Sequence, residues 1–160
     1  MKRNLLLIVV FLLQTVAITA QHQFYFKNGS FKVIQFTDIH WDPKSPGCKE
    51  SEQTLKTVLQ IEKPELAVLT GDIVTADPAI EGWKSIIQIF EELQMPFTVT
   101  MGNHDAEYLS KKDIYGLLVQ SPYFVGSQGP NNIKGLGNHT IPIYGSQAKE
   151  KIASVLYCID

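Results

Sequence analysis

Hydrophobic and polar positions alternate between two rhythms from residue 31 onward. Residues 31–37 (FKVIQFT) are dense in aromatic and β-branched side chains, which predicts a strand buried on both faces toward its end. After a loop containing Pro43, Pro46 and Gly47, residues 52–61 (EQTLKTVLQI) place Leu55, Val58, Leu59 and Ile61 at near-helical spacing, and Pro64 stops that helix. Residues 66–70 (LAVLT) form a second apolar strand ending in Gly71-Asp72. Residues 80–93 (IEGWKSIIQIFEEL) are an amphipathic helix, and residues 97–101 (FTVTM) a third strand ending in Gly102-Asn103-His104-Asp105.

This order predicts an α/β fold with a βαβαβ core, in which right-handed crossovers make all three strands parallel. Beyond His104 the pattern predicts a helix over 110–120, a Gly/Pro/Asn-rich loop over 121–132, and strands over 139–144 and 152–159. The last two are separated by too few residues for a helical crossover, so they pair as an antiparallel hairpin and make the sheet mixed.

Composition narrows the class of protein. A chain of 160 residues with 44% hydrophobic content supports one domain with a real core. A formal charge of -2 implies neither a nucleic-acid partner nor a polybasic membrane contact. Lys2 and Arg3 precede the apolar run 5–13 (LLLIVVFLL), and Thr19-Ala20-Gln21 offers small residues for cleavage. That is the layout of a signal peptide over 1–20, too short to serve as a stable membrane anchor, although a retained N-terminal anchor is the alternative. Its removal takes Lys+Arg from 14 to 12 against 16 acids, so the domain at 21–160 carries -4 and is expected to be secreted or periplasmic. Cys48 sits in a loop and Cys158 in an apolar strand; neither has the neighbours for a zinc knuckle, and neither is assigned chemistry.

Parallel strands bring the residues after each of them to one edge of the sheet, where open α/β folds bind ligands. Asp38 and His40 follow the first strand, Asp72 the second, and Asn103 and His104 the third. Two carboxylates, an imidazole and a carboxamide oxygen make a mixed O/N set suited to zinc, manganese or iron. In an extended segment, positions i and i+2 share a side, so Asp38 and His40 can grip one ion. Gly71 and Gly102 can take positive φ and turn the chain sharply out of a strand. Taken singly, each block also fits an ordinary turn. The separations of 34 residues (38 to 72) and 31 residues (72 to 103), each one βαβ unit long, favour the metal reading.

Asp38-Ile39-His40, Gly71-Asp72 and Gly102-Asn103-His104-Asp105 resemble the first three signature blocks of the calcineurin-like metallophosphoesterases. Glu62-Lys63-Pro64-Glu65-Leu66, Gly135-Leu136-Gly137-Asn138 and the closing Leu156-Tyr157-Cys158-Ile159-Asp160 resemble the branch related to purple acid phosphatases. The resemblance covers residues 31–160 and implies the first half of a four-layer αββα sandwich. It implies that Asp38 and His40 hold a first metal, that Asp72 bridges two metals (iron, manganese or zinc), and that Asn103 holds the second. His104 would face a phosphoester substrate, stabilising the phosphorane or protonating the leaving oxygen, with Asp105 orienting it. Two ions about 4 Å apart would lower the pKa of a bound water, making the hydroxide that hydrolyses the ester.

The sequence departs from that family in two places. Purple enzymes carry a tyrosine three residues after the bridging aspartate, where this chain has Thr75, so no tyrosinate colour is expected. The family completes its metal set with a C-terminal Gly-His-x-His block, and the chain reaches Asp160 before one, so an N-terminal portion of the fold is expected. His22 is expected in a disordered tail and His139 as a plain hairpin residue. Trp41 and Asp42 either line a substrate pocket or simply pack. Asn28-Gly29-Ser30 and Asn138-His139-Thr140 fit the glycosylation sequon. A catalytically inactive metal-binding or interaction module is the alternative to a phosphatase. A nucleotide-binding domain is weaker, because no Gly-rich phosphate loop follows the first strand.

Overall fold

A computed structural model describes residues 22–160; the expected signal peptide lies outside the described residues. In chain order the elements are β1 (Phe24–Tyr25), β2 (Val33–Phe36), α1 (Cys48–Glu62), β3 (Leu66–Thr70), α2 (Ala79–Glu92), β4 (Phe97–Thr100), α3 (Lys111–Leu118), β5 (His139–Tyr144) and β6 (Ile152–Cys158). β2, β3 and β4 form one parallel sheet in that order, as the βαβαβ pattern requires.

The hairpin does not extend that sheet. β5 and β6 pair antiparallel as expected, but they build a second sheet whose third member is β1, parallel to β5, so the mixed pairing is confined to this sheet. β1 escaped the sequence reading because two residues carry no measurable period.

Alternation along β3 explains the layering. Ala67 and Leu69 face one core with Leu55 and Leu59 of α1, Trp83, Ile86 and Phe90 of α2, and Ile114, Tyr115 and Leu118 of α3. Leu66 and Val68 face the other core, with Phe24, Ile141, Ile143 and Cys158 of the second sheet. The layers are therefore helices, parallel sheet and hairpin sheet, consistent with a partial metallophosphoesterase fold. Each fully buried aromatic or branched side chain contributes about 1.5–3 kcal/mol. Phe90 also stacks on Phe97 at 4.5 Å between ring centres, fixing α2 to β4.

Two local expectations change. β2 is not buried on both faces: Ile34 and Phe36 turn to the helix-side core while Val33 and Gln35 remain exposed on the other face. α1 starts at Cys48, four residues before the apolar period begins, because its first turn (Cys48, Lys49, Glu50, Ser51) is largely polar and gives no hydrophobic signal. Its far end is the expected one: Lys63 takes a left-handed conformation, its N–H bonds the Leu59 carbonyl, and Pro64 follows.

Candidate metal centre

The loops leaving β2 and β3 run on together past the end of the sheet. Asp38 N–H donates to the Gly71 carbonyl at 3.0 Å, His40 N–H to the Asp72 carbonyl at 3.0 Å, and Trp41 N–H to the Ile73 carbonyl at 2.8 Å. Within this ladder Asp38, His40 and Asp72 have φ of 53°, 49° and 52°. The segment is therefore not extended, and the expected i, i+2 geometry is replaced by left-handed residues that each cost about 1–2 kcal/mol. Strain concentrated on three candidate ligands is a mark of a functional site.

The two glycines act differently from each other. Gly71 does take positive φ, 94°, whereas Gly102 does not. Gly102 is needed for close approach: a Cβ there would lie 2.3 Å from Asp72 Oδ1, and a Cβ on Gly71 would lie 2.7 Å from Gly102 Cα. The β3 and β4 exits touch through their glycine backbones.

Asp38, His40 and Asp72 each offer one ligand atom, all within 4.8 Å of one another. Asp38 Oδ1 and His40 Nε2 are 3.9 Å apart. Each of the three side chains also meets a neighbour. Thr37 Oγ1 donates to Asp38 Oδ2 at 2.6 Å, His104 N–H donates to Asp72 Oδ1 at 3.0 Å, and Thr75 Oγ1 stands 3.4 Å from His40 Nδ1. Two carboxylates and an imidazole gathered within 4.8 Å and steadied by neighbouring hydrogen bonds are a mixed O/N donor set, so these residues fit a metal ion. Thr75, at the tyrosine position of the purple enzymes, faces His40.

Asn103 lies exposed at the β4 exit, and His104 follows it with its ring centre 6.3 Å from that of His40. The His104 ring makes no hydrogen bond to Asp105. The Asp105 side chain is 1% exposed, and its carboxylate accepts from the N–H groups of Asp72 (2.9 Å), Gly102 (2.8 Å), Ile73 (2.7 Å) and Val74 (3.2 Å). It clamps the β3 and β4 exits together, and the four donors offset the desolvation of a buried carboxylate. His104 Nδ1 instead meets Glu107 Oε1 at 2.6 Å. That hydrogen bond, then the charge of Glu107, raises the His104 pKa above its ordinary value. The sequence reading missed Glu107; its only signal was a carboxylate three residues after the histidine.

The other histidines stand apart from this edge. His139 bonds Thr98 Oγ1 at 2.9 Å and the Gly137 carbonyl at 2.7 Å, a structural role between the two sheets. His22 is not a loose tail residue: its Nε2 lies 3.0 Å from the Pro122 carbonyl oxygen and its ring stacks beside Phe24. Trp41, Asp42, Ser45, Cys48, Ser51 and Thr54 line a cleft of 560 Å³ that begins at His40. Trp41 is at once a core residue, 5% exposed, and a wall of that cleft.

Residues 31–154 match the Calcineurin-like phosphoesterase family, and the chain belongs to it. The chain is similar to Phosphatase DCR2 of Saccharomyces cerevisiae, 28% identical over 155 aligned positions that cover 82% of this chain and 27% of that protein. It is also similar to Probable inactive purple acid phosphatase 29 of Arabidopsis thaliana, 27% identical over 83% of this chain and 41% of that one. With Uncharacterized metallophosphoesterase YkuE of Bacillus subtilis it shares 31% identity over 47% of its own length. The chain thus spans between about a quarter and two fifths of the length of these curated relatives. The family typically binds metal ions, and Asp38, His40 and Asp72 form a candidate group for one in this chain.

Proposed function

We propose that this protein is an exported metal-dependent phosphatase. Asp38, His40, Asp72 and Asn103 hold two ions of iron, manganese or zinc, and His104 serves the substrate. The observation that carries the reading is the convergence of Asp38, His40 and Asp72 from two strand exits onto one point. Bound ions would supply Lewis acidity and charge neutralisation to a phosphoester.

The chain's own residues do the rest. Thr37 and Thr75 steady Asp38 and His40, Asp105 sets the spacing of the β3 and β4 exits, and His104 offers a proton-bearing ring on the same edge. The cleft beside His40 gives the organic part of the ester a place to lie. The layout of residues 1–20 supports export, and N-terminal sequencing of the secreted protein should begin at residue 21.

Metal content by plasma mass spectrometry and p-nitrophenyl phosphate hydrolysis, after supply of manganese, zinc and iron, test the reading. About two ions per chain and turnover, both lost in Asp72→Asn, support it; absence of metal binding sinks it. A second reading, a metal-binding module without turnover, is favoured by exposure: the side chains of Asp38 and His40 are 63% and 54% exposed, and water weakens electrostatic catalysis. Binding of ions without hydrolysis would select that reading.

A further inference from the structure

We propose that the cleft beside His40 selects phosphoesters whose organic part carries a cationic amine, and that Glu50 makes the choice. The inference rests on the phosphatase reading above and names the substrate class for that same site. His40 shares the cleft with Asp42 of the loop after β2 and with Glu50, Ser51 and Thr54 of the first two turns of α1. Its 560 Å³ exceed what a phosphoryl group fills, so the organic part of an ester bound at His40 lies against these side chains. Charge in this lining is of one sign. Asp42 and Glu50 contribute carboxylates, and no lysine or arginine takes part. Among the described residues neither carboxylate is in an ion pair. Lys44 Nζ lies 3.8 Å from Asp77 Oδ2 instead, and Lys49, adjacent to Glu50 in the chain, does not share its side of the helix.

The start of α1, which has no side-chain cap, opposes these carboxylates with the partial positive charge of its aligned peptide units. That charge is about +0.5 against two carboxylates, which leaves the cleft at roughly −1.5. Ions bound at Asp38, His40 and Asp72 would make the other end of the site positive. Opposite signs at the two ends match a zwitterion of phosphate and ammonium, and repel an ester that carries a second acid group. The hydroxyls of Ser51 and Thr54, three residues apart on α1 and so on one face, have no protein partner among the described residues. They are acceptors for the N–H groups of an amine, which has donors only.

Three phosphonates of similar size, which cannot be hydrolysed, separate binding from turnover: 2-aminoethylphosphonate, propylphosphonate and 2-carboxyethylphosphonate. Titration calorimetry on the zinc-loaded chain should rank them in that order, the amino compound tightest. Each step should be about fivefold in Kd at low salt, the upper end for an exposed ion pair, and smaller in high salt. Glu50→Gln, which keeps the shape of the side chain and removes its charge, should bring the amino compound close to the propyl one. Asp42→Asn should narrow the same gap by less, since Asp42 Oδ1 is already engaged by the Lys44 N–H at 2.9 Å. Equal affinities in wild type, an order that survives Glu50→Gln, or absence of phosphonate binding overturns the assignment. Hydrolysis of p-nitrophenyl phosphate is read beside it. Ordered binding without turnover sinks the phosphatase reading and leaves the selectivity of the cleft standing; turnover without the order does the reverse.

Discussion

The outlet of the parallel sheet and the hairpin sheet behind it are built on opposite terms. At the outlet, three non-glycine residues sit at φ near +50°, two glycine backbones touch, and a buried carboxylate holds four amides together. In β5 and β6 no residue has positive φ, Ile141 and Ile143 bury themselves by plain alternation, and Cys158 fills a small place in the core. The Cys158 thiol is pushed up in pKa by burial, which leaves it a poor nucleophile. The hairpin supplies stability through packing. The outlet gives up stability to hold polar atoms in positions that water and open space would otherwise favour dispersing.

The largest expected effect that breaks this contrast is at Asp105, which has no predicted contact with metal. Asp105→Ala orphans four amides and should lower unfolding free energy by about 3–5 kcal/mol, with metal binding lost as well. Urea unfolding and metal analysis on one sample check both; intact metal binding would mean the clamp does not set the site.

Next comes Gly102→Ala, whose methyl would collide with Asp72 Oδ1. A cost of about 1–3 kcal/mol is expected, together with a fall in metal affinity that competition with a chelator would measure. By contrast, Ile143→Val in the hairpin sheet should cost about 0.5–1.5 kcal/mol and leave metal affinity alone. Coupled losses in that variant would erase the distinction between the two regions.

The smallest effect belongs to the surface. Lys56 Nζ lies 2.6 Å from both Glu52 and Glu92, tying α1 to α2; hydrogen bonds to Glu52 and then Glu92 raise its pKa. The hydrogen bond from Lys56 lowers that of Glu92. The signs place this contribution at pH values above the ordinary carboxylate range and below that of lysine, fading as Glu92 protonates in acid. Lys56→Met should barely move Tm at neutral pH, and less still in high salt.

Much of this contrast was legible in the residues. The three parallel strands, their two crossover helices and the hairpin each announced themselves through period, because burying one face or two leaves a repeat of 3.6 or 2 in the chain. The strand ends then pointed to Asp38, His40, Asp72, Asn103 and His104, since parallel strands share one carboxyl edge. Period was silent on β1, which has only two residues, and on the first turn of α1, which is largely polar. It also said nothing of Thr37 and Thr75, whose roles depend on which hydroxyl comes near which ligand atom.

The division has a physical reason. Secondary structure, strand direction and the edge at which the polar residues gather follow from local pattern and chirality, and the sequence by itself determined them. Long-range contact decided the rest: that β5, with β6 behind it, would pair with β1 rather than join β2–β4, that Gly102 was needed for closeness to Asp72 and not for φ, and that Asp105 would turn inward to the amides leaving β3. Those outcomes depend on which atoms meet across 30 or more residues of chain, and only the packed structure brings those atoms together.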